Sequence, residues 1–129
     1  MRVTTLQVVL VACGGAIGSV LRFLCSGLAH AVAPGLLFPV GTLAVNVIGS
    51  LVIGLVGGLA ETRAFLVPEL RVFLFTGVLG GFTTFSAFAW ETLGMAVDGA
   101  WLKATLNVSA QLLLGFSAAA AAYGVGRAL

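Results

Sequence analysis

The sequence predicts an all-α integral membrane protein with four transmembrane helices in one domain, residues 1–129. Three observations carry this. The chain is 60% hydrophobic and only 8% charged, with a mean hydropathy of +1.20. Few soluble proteins could cover their surface with so few charges. Runs without Asp, Glu, Lys or Arg cover residues 3–21, 72–90 and 104–126, and between Phe23 and Ala60 the only titratable side chains are Cys25 and His30. A bilayer core of about 30 Å takes roughly 20 apolar residues per helix, so four spans fit.

Span one is expected over Thr5–Ala29, with Gly14, Gly15 and Gly18 as small residues that let helices approach closely. Ala29-His30-Ala31 resembles a signal-peptide cleavage site. The apolar run is longer than a signal core of about 7–15 residues, so retention is expected. Cys13 and Cys25 lie about 18 Å apart along one helix, too far for a disulfide, and are read as packing residues. His30, close to Pro34-Gly35, is read as a loop or interface residue. Span two follows over Gly41–Ala60, with Gly54 and Gly58 in a G-x-x-x-G pattern. Glu61, Arg63, Pro68 and Arg71 mark the next turn.

Span three is expected over Arg71–Met95, broken at Gly80–Thr84, where two poor helix formers precede two β-branched threonines. In lipid, unpaired backbone groups survive only where protein or a polar cavity meets them. Such a break exposes carbonyls at a half-helix carboxyl end, where the dipole favours a cation. A glycine packing kink is the competing reading of the same residues. Phe85 and Phe88 follow at i and i+3, on one face. A stripe of this kind packs in a core or faces lipid unless polar groups accompany it, and here Asn46, Thr84 and Ser86 do. Ring edges are electropositive and hold a small anion weakly, as conduction requires. Asp98-Gly99 turns the chain, and span four is expected over Trp101–Val125. The alanines at 118–122 read as close packing.

The polar residues at membrane depth are Arg22, Asn46, Thr76, Thr83, Thr84, Ser86, Glu91, Asn107, Ser109 and Gln111. For Thr76, Ser109 and Gln111 a helix–helix or same-helix hydrogen bond is the expected role. Asn107 and Gln111 share a face and either join helices or line a passage. Asn46 is either interhelical glue or a donor to an anion. Arg22 either snorkels to the interface or gathers anions at a pore mouth.

With the amino terminus on one side, that side carries Arg2, Arg63, Arg71 and Arg127, against Lys103 and Arg22 on the other. This is a weak positive-inside bias, compatible with insertion in both orientations. Two opposed copies then pair about an axis in the membrane plane. No basic cluster suggests nucleic acid, and no nucleophile–base pair or metal cluster suggests an enzyme. A proton-coupled small multidrug exporter would want a carboxylate within a span, and Glu91 lies only toward the end of span three. The other competing reading is a purely structural subunit of a larger membrane complex.

Four stretches, "GGAIGSVLRF" (14–23), "GTLAVNVIGS" (41–50), "TGVLGGFTTFSAF" (76–88) and "WLKATLNV" (101–108), resemble the Fluc fluoride-channel family, also called CrcB. They touch all four spans, and the third is the most specific. The resemblance implies an antiparallel, dual-topology homodimer in the cell (inner) membrane. It implies passive, selective exit of fluoride from the cytoplasm, which lowers fluoride toxicity. It further implies a central structural Na⁺, not transported, on the backbone carbonyls of Gly80 and Thr83. Phe85 and Phe88 would line the fluoride path with Asn46 as the polar donor, beside Ser86 and Thr84, and Arg22 would stand at the vestibule. The chain departs from the family at Ala87 and at Leu114-Gly115, where hydroxyls are common; Thr84, Ser86 and Ser109 are the nearest substitutes.

Overall fold

The computed structural model describes residues 3–35, 38–63 and 66–129. Within them all regular secondary structure is helical, in the order α1 (Thr5–Val32), α2 (Val40–Thr62), α3 (Pro68–Arg71), a π-helix π1 (Val72–Leu79), α4 (Gly80–Phe82), α5 (Phe85–Val97) and α6 (Trp101–Ala128). The segments from Pro68 to Val97 form the third of four spans, so this is a multi-pass membrane protein. Of the cations counted for orientation, Arg2 lies outside the described residues.

Local chemistry sets the helix ends. Thr4 caps α1 in a reciprocal capping box with Gln7. Pro68 opens α3, where its missing N–H costs nothing. Gly35 and Gly99 take positive φ (88° and 76°) in the two connections on one side of the bundle. Each expected span is extended at one or both ends. The extra turn of α1 takes His30 out of the expected loop and onto the helix, with Nδ1 2.8 Å from Ser26 O. Cys13 faces outward rather than packing, and Cys25 is half-buried.

Two close helix pairs build the bundle: α2 against α6, and α1 against π1 and α4. Glycine sits at each contact because backbone meets backbone there. A Cβ on Gly14 would stand 2.7 Å from Phe73 O, and one on Gly81 2.6 Å from Gly15 O. Cβ atoms on Gly18 and Gly54 would collide with the carbonyls of Val78 and Ala119. Lipid offers no hydrophobic drive for helices to associate, so close approach and polar contacts hold them. Few side chains are fully enclosed; Val45 and Asn107 are the largest. At the far end, Arg127 pairs with Glu61 at 3.6 Å and Arg63 donates to Leu129 O, tying α2 to α6.

The third span differs from expectation in where it breaks. Gly80 and Gly81 remain helical, and the extended residues are Thr83 (φ −87°, ψ 159°) and Thr84 (φ −151°, ψ 120°). The break is therefore narrower than Gly80–Thr84. Gly81 is there for contact with α1, while the β-branched threonines supply the extended backbone. Upstream, i→i+5 bonding widens the helix through π1.

A bulky residue at the α1–π1 contact tests this packing. Gly18→Leu is expected to destabilise the detergent-solubilised protein by about 1–3 kcal/mol or more, since the neighbouring atom is backbone and cannot rotate away. Gly27→Leu, where a Cβ meets nothing within 4 Å, should leave the thermal unfolding midpoint near that of the wild type.

Candidate functional site

The helix break is held by one side chain. Thr84 N–H donates to Asn46 Oδ1 at 2.8 Å, and Asn46 Nδ2 donates to Thr84 O at 3.0 Å. The amide thus takes the place of both neighbours that a continuous helix would have supplied. A second Asn46 N–H donates to Gln111 Oε1 at 3.0 Å, so α2 bridges the break to α6. Asn46 performs the gluing role, and both its N–H groups are engaged within the chain.

This arrangement frees particular carbonyls. In an unbroken helix Gly80 O would accept from Thr84 N–H and Thr83 O from Ala87 N–H. Thr84 N–H goes to Asn46 instead, and Ala87 N–H to Thr84 Oγ1 at 3.1 Å. The Thr83 hydroxyl donates to Leu79 O at 3.0 Å, pointing back into its own helix. Gly80 O and Thr83 O are therefore among the carbonyls at this half-helix carboxyl end that no backbone donor from α5 reaches, and such an end suits a small hard cation bound by oxygen. Among the described residues no His/Cys/Asp/Glu cluster competes for that role.

Beside the break lies a cavity of about 390 Å³, lined by Asn46, Thr83, Thr84, Phe85, Phe88 and Gln111 among others. The Phe85 and Phe88 rings meet edge to face, centroids 5.4 Å apart at 68°. Phe85 is 77% exposed on the single chain. Ser86 shares a hydrogen bond of 3.2 Å with Thr84 Oγ1. Phe88 is fixed from behind: Thr92 Oγ1 donates to Phe88 O at 2.7 Å, and fully buried Asn107 donates to Thr92 Oγ1 at 2.9 Å.

Arg22 lines a second cavity of about 580 Å³, with His30, Thr42, Thr84, Ala87 and Glu91. Thr84 borders both cavities. Arg22 therefore faces a chamber next to the break. Thr42 Oγ1 donates to Glu91 Oε1 at 2.6 Å in this chamber, while Glu91 Oε2 is buried without a partner. Ala87 leaves this wall apolar at its position. Ser109 lines neither cavity.

Gln111 is the residue that sequence reasoning undervalued. A helix-joining role was favoured for it over lining a passage, and its Oε1 does join helices. Its Nε2, however, is buried without a partner at the first cavity. The i, i+4 spacing from Asn107 was the available signal, but Asn107 turns to Thr92 and only Gln111 reaches the cavity.

Residues 9–125 match the family model described as "CrcB-like protein, Camphor Resistance (CrcB)". The chain belongs to the CrcB family. A relative from Nitratidesulfovibrio vulgaris is 46% identical over 121 residues, covering 94% of this chain and 97% of the relative. One from Roseiflexus is 44% identical over 124 residues, 96% and 99% of the two chains. One from Methylobacillus flagellatus is 50% identical over 93 residues, 72% and 73%. Each bears the name fluoride-specific ion channel FluC. The CrcB assignment covers all four spans, so the whole bundle, and not only the span-three motif, is that of the family.

The Asn46 brace predicts a specific cost. Asn46→Leu strands the part-buried Thr84 N–H and Thr84 O, at about 1–3 kcal/mol each at most. A fall in the thermal midpoint of the purified protein, larger than for Ser50→Ala on the same helix, is the expected result.

Proposed function

We propose that this protein is a fluoride channel of the inner membrane, giving fluoride a passive way out of the cytoplasm. The observation that carries the reading is the polar break beside an edge-to-face phenylalanine pair at the cavity. The names of the FluC relatives supply the ion. Fluoride is small and holds its water strongly, so a selective path must offer several weak contacts in place of that shell. Ring edges of Phe85 and Phe88, the unpartnered Gln111 Nε2 and the hydroxyls of Thr84 and Ser86 are of that kind. An Asn46 N–H joins them if fluoride displaces Gln111 Oε1. Arg22 raises the anion concentration in the adjoining chamber.

The working unit in this reading is an antiparallel homodimer. Phe85 and Ser86 are exposed on one chain, beside freed backbone carbonyls. Lipid cannot satisfy those groups, whereas a second copy in the opposite orientation covers them. A structural Na⁺ then sits where the two breaks meet. Gly80 O and Thr83 O would hold it, and it supplies a fixed positive charge that locks the broken helices together. The partly balanced cations at the two ends of the bundle suit insertion in both orientations.

Liposomes containing only the purified protein test the function. Fluoride efflux is expected under a potassium gradient with valinomycin, with chloride retained. Retention of both ions by folded protein would overturn the channel reading. Phe85→Ile and Phe88→Ile should each suppress fluoride efflux by about tenfold or more while the dimer still elutes intact. Thr83→Ser should retain Na⁺ binding, because the proposed ligand is the backbone carbonyl and a serine hydroxyl can still donate to Leu79 O.

A further inference from the structure

We propose that Phe75, backed by Arg71, is a third aromatic element of the anion path, placed there by the π-helix. This rests on the fluoride-channel reading. Phe75 is half-buried and lines the same cavity as Phe85 and Phe88, yet it lies ten residues before Phe85 on the other side of the break.

Its position follows from the helix type. In an α-helix a residue shares its face with i+3 and i+4, which would align Phe75 with Val78 and Leu79. In π1 the Gly80 N–H reaches back to Phe75 O, an i→i+5 bond. The wider turn brings Phe75 into line with Leu79 and Gly80, and these two, not Val78, border the cavity with it. The π-turn therefore adds a ring to the cavity wall next to the carbonyl assigned to the cation. π-turns inside α-helices are rare and frequent at functional sites.

Arg71 makes that ring a better anion contact. Its guanidinium lies over the Phe75 face, 5.7 Å from the centroid. A cation on the face draws π-density toward itself and leaves the rim more electropositive. As part of the cavity lining, Phe75 in this proposal offers a small anion a weak contact of the same class as Phe85 and Phe88. Arg71 is exposed, at the start of the third span, so the positive charge stands at its mouth. The path then carries an arginine at two places, Arg22 in the chamber and Arg71 behind Phe75.

Reconstituted full-length variants test this, with wild type and Phe85→Ile as references and dimer elution as the folding control. Phe75→Leu keeps bulk but removes the ring, and should lower fluoride efflux by up to about tenfold. Pentafluorophenylalanine at position 75 keeps an aromatic ring, slightly enlarged by its fluorines, but makes the rim negative, and should lower efflux to the same degree. Arg71→Gln should lower it by about two- to fivefold, with Arg71→Lys restoring most of the loss. If wild type conducts and Phe85→Ile does not, while Phe75→Leu stays within twofold of wild type, the inference is overturned and the channel reading stands. Normal flux with the pentafluoro ring, beside a loss with leucine, would make Phe75 a space-filler and overturn it equally. A silent wild type would overturn both.

Discussion

The structure turns on one amide. Asn46 gives Thr84 both a donor and an acceptor, so a transmembrane helix can stop for two residues with the N–H and C=O of Thr84 satisfied. Everything that distinguishes the site follows from this substitution. Thr84 N–H is diverted from Gly80 O, the Thr84 side chain is free to cap α5 through Ala87 N–H, and Thr83 O loses its helical donor in turn. The restarted helix then carries Phe85 and Phe88 at its first turn. A single polar side chain thereby provides both the oxygen site and the aromatic wall.

Glycine makes that exchange geometrically possible. The break stays close to its neighbours because Gly81 rests on Gly15 and Gly14 on Phe73 O. Small residues replace the hydrophobic drive that a soluble bundle would use, and they leave the large apolar side chains to lipid or to a second copy. The second polar chain, Asn107 to Thr92 to Phe88 O, works behind the aromatic pair. Its part-buried links bind α6 to the turn of α5 that bears the ring. Two asparagines on different helices thus brace the site, Asn46 at the backbone break and Asn107 through Thr92 behind the backbone of Phe88.

Much of this was legible in the residues. Charge-free runs set the spans, and "GGFTTFSAF" marked both the interruption and the ring pair. The extent of the break was not legible. Gly80-Gly81 reads as a helix breaker in isolation, since glycine is a poor helix former. In place, α1 presses against Gly81 and the helical turn persists to Phe82. The roles of the two asparagines were also hidden, because an amide reads the same whether it faces a backbone, a hydroxyl or an ion. Gln111 and Asn107 lie one turn apart on one helix, yet one reaches the cavity and the other is fully buried.

By itself the sequence determined a four-span membrane bundle, its family, the position of the interrupted helix and the candidate ion-contacting residues. Those follow from composition, hydropathy and a specific motif, which are properties of the chain read in order. Tertiary structure alone decided which hydrogen bond each polar group makes, and hence which carbonyls are set free. It also decided that π-winding turns Phe75 toward the cavity and that Arg22 faces a chamber. The reason is physical: in a low-dielectric bundle a polar group takes a partner only where packing brings one within about 3 Å, and sequence spacing does not specify that partner across helices.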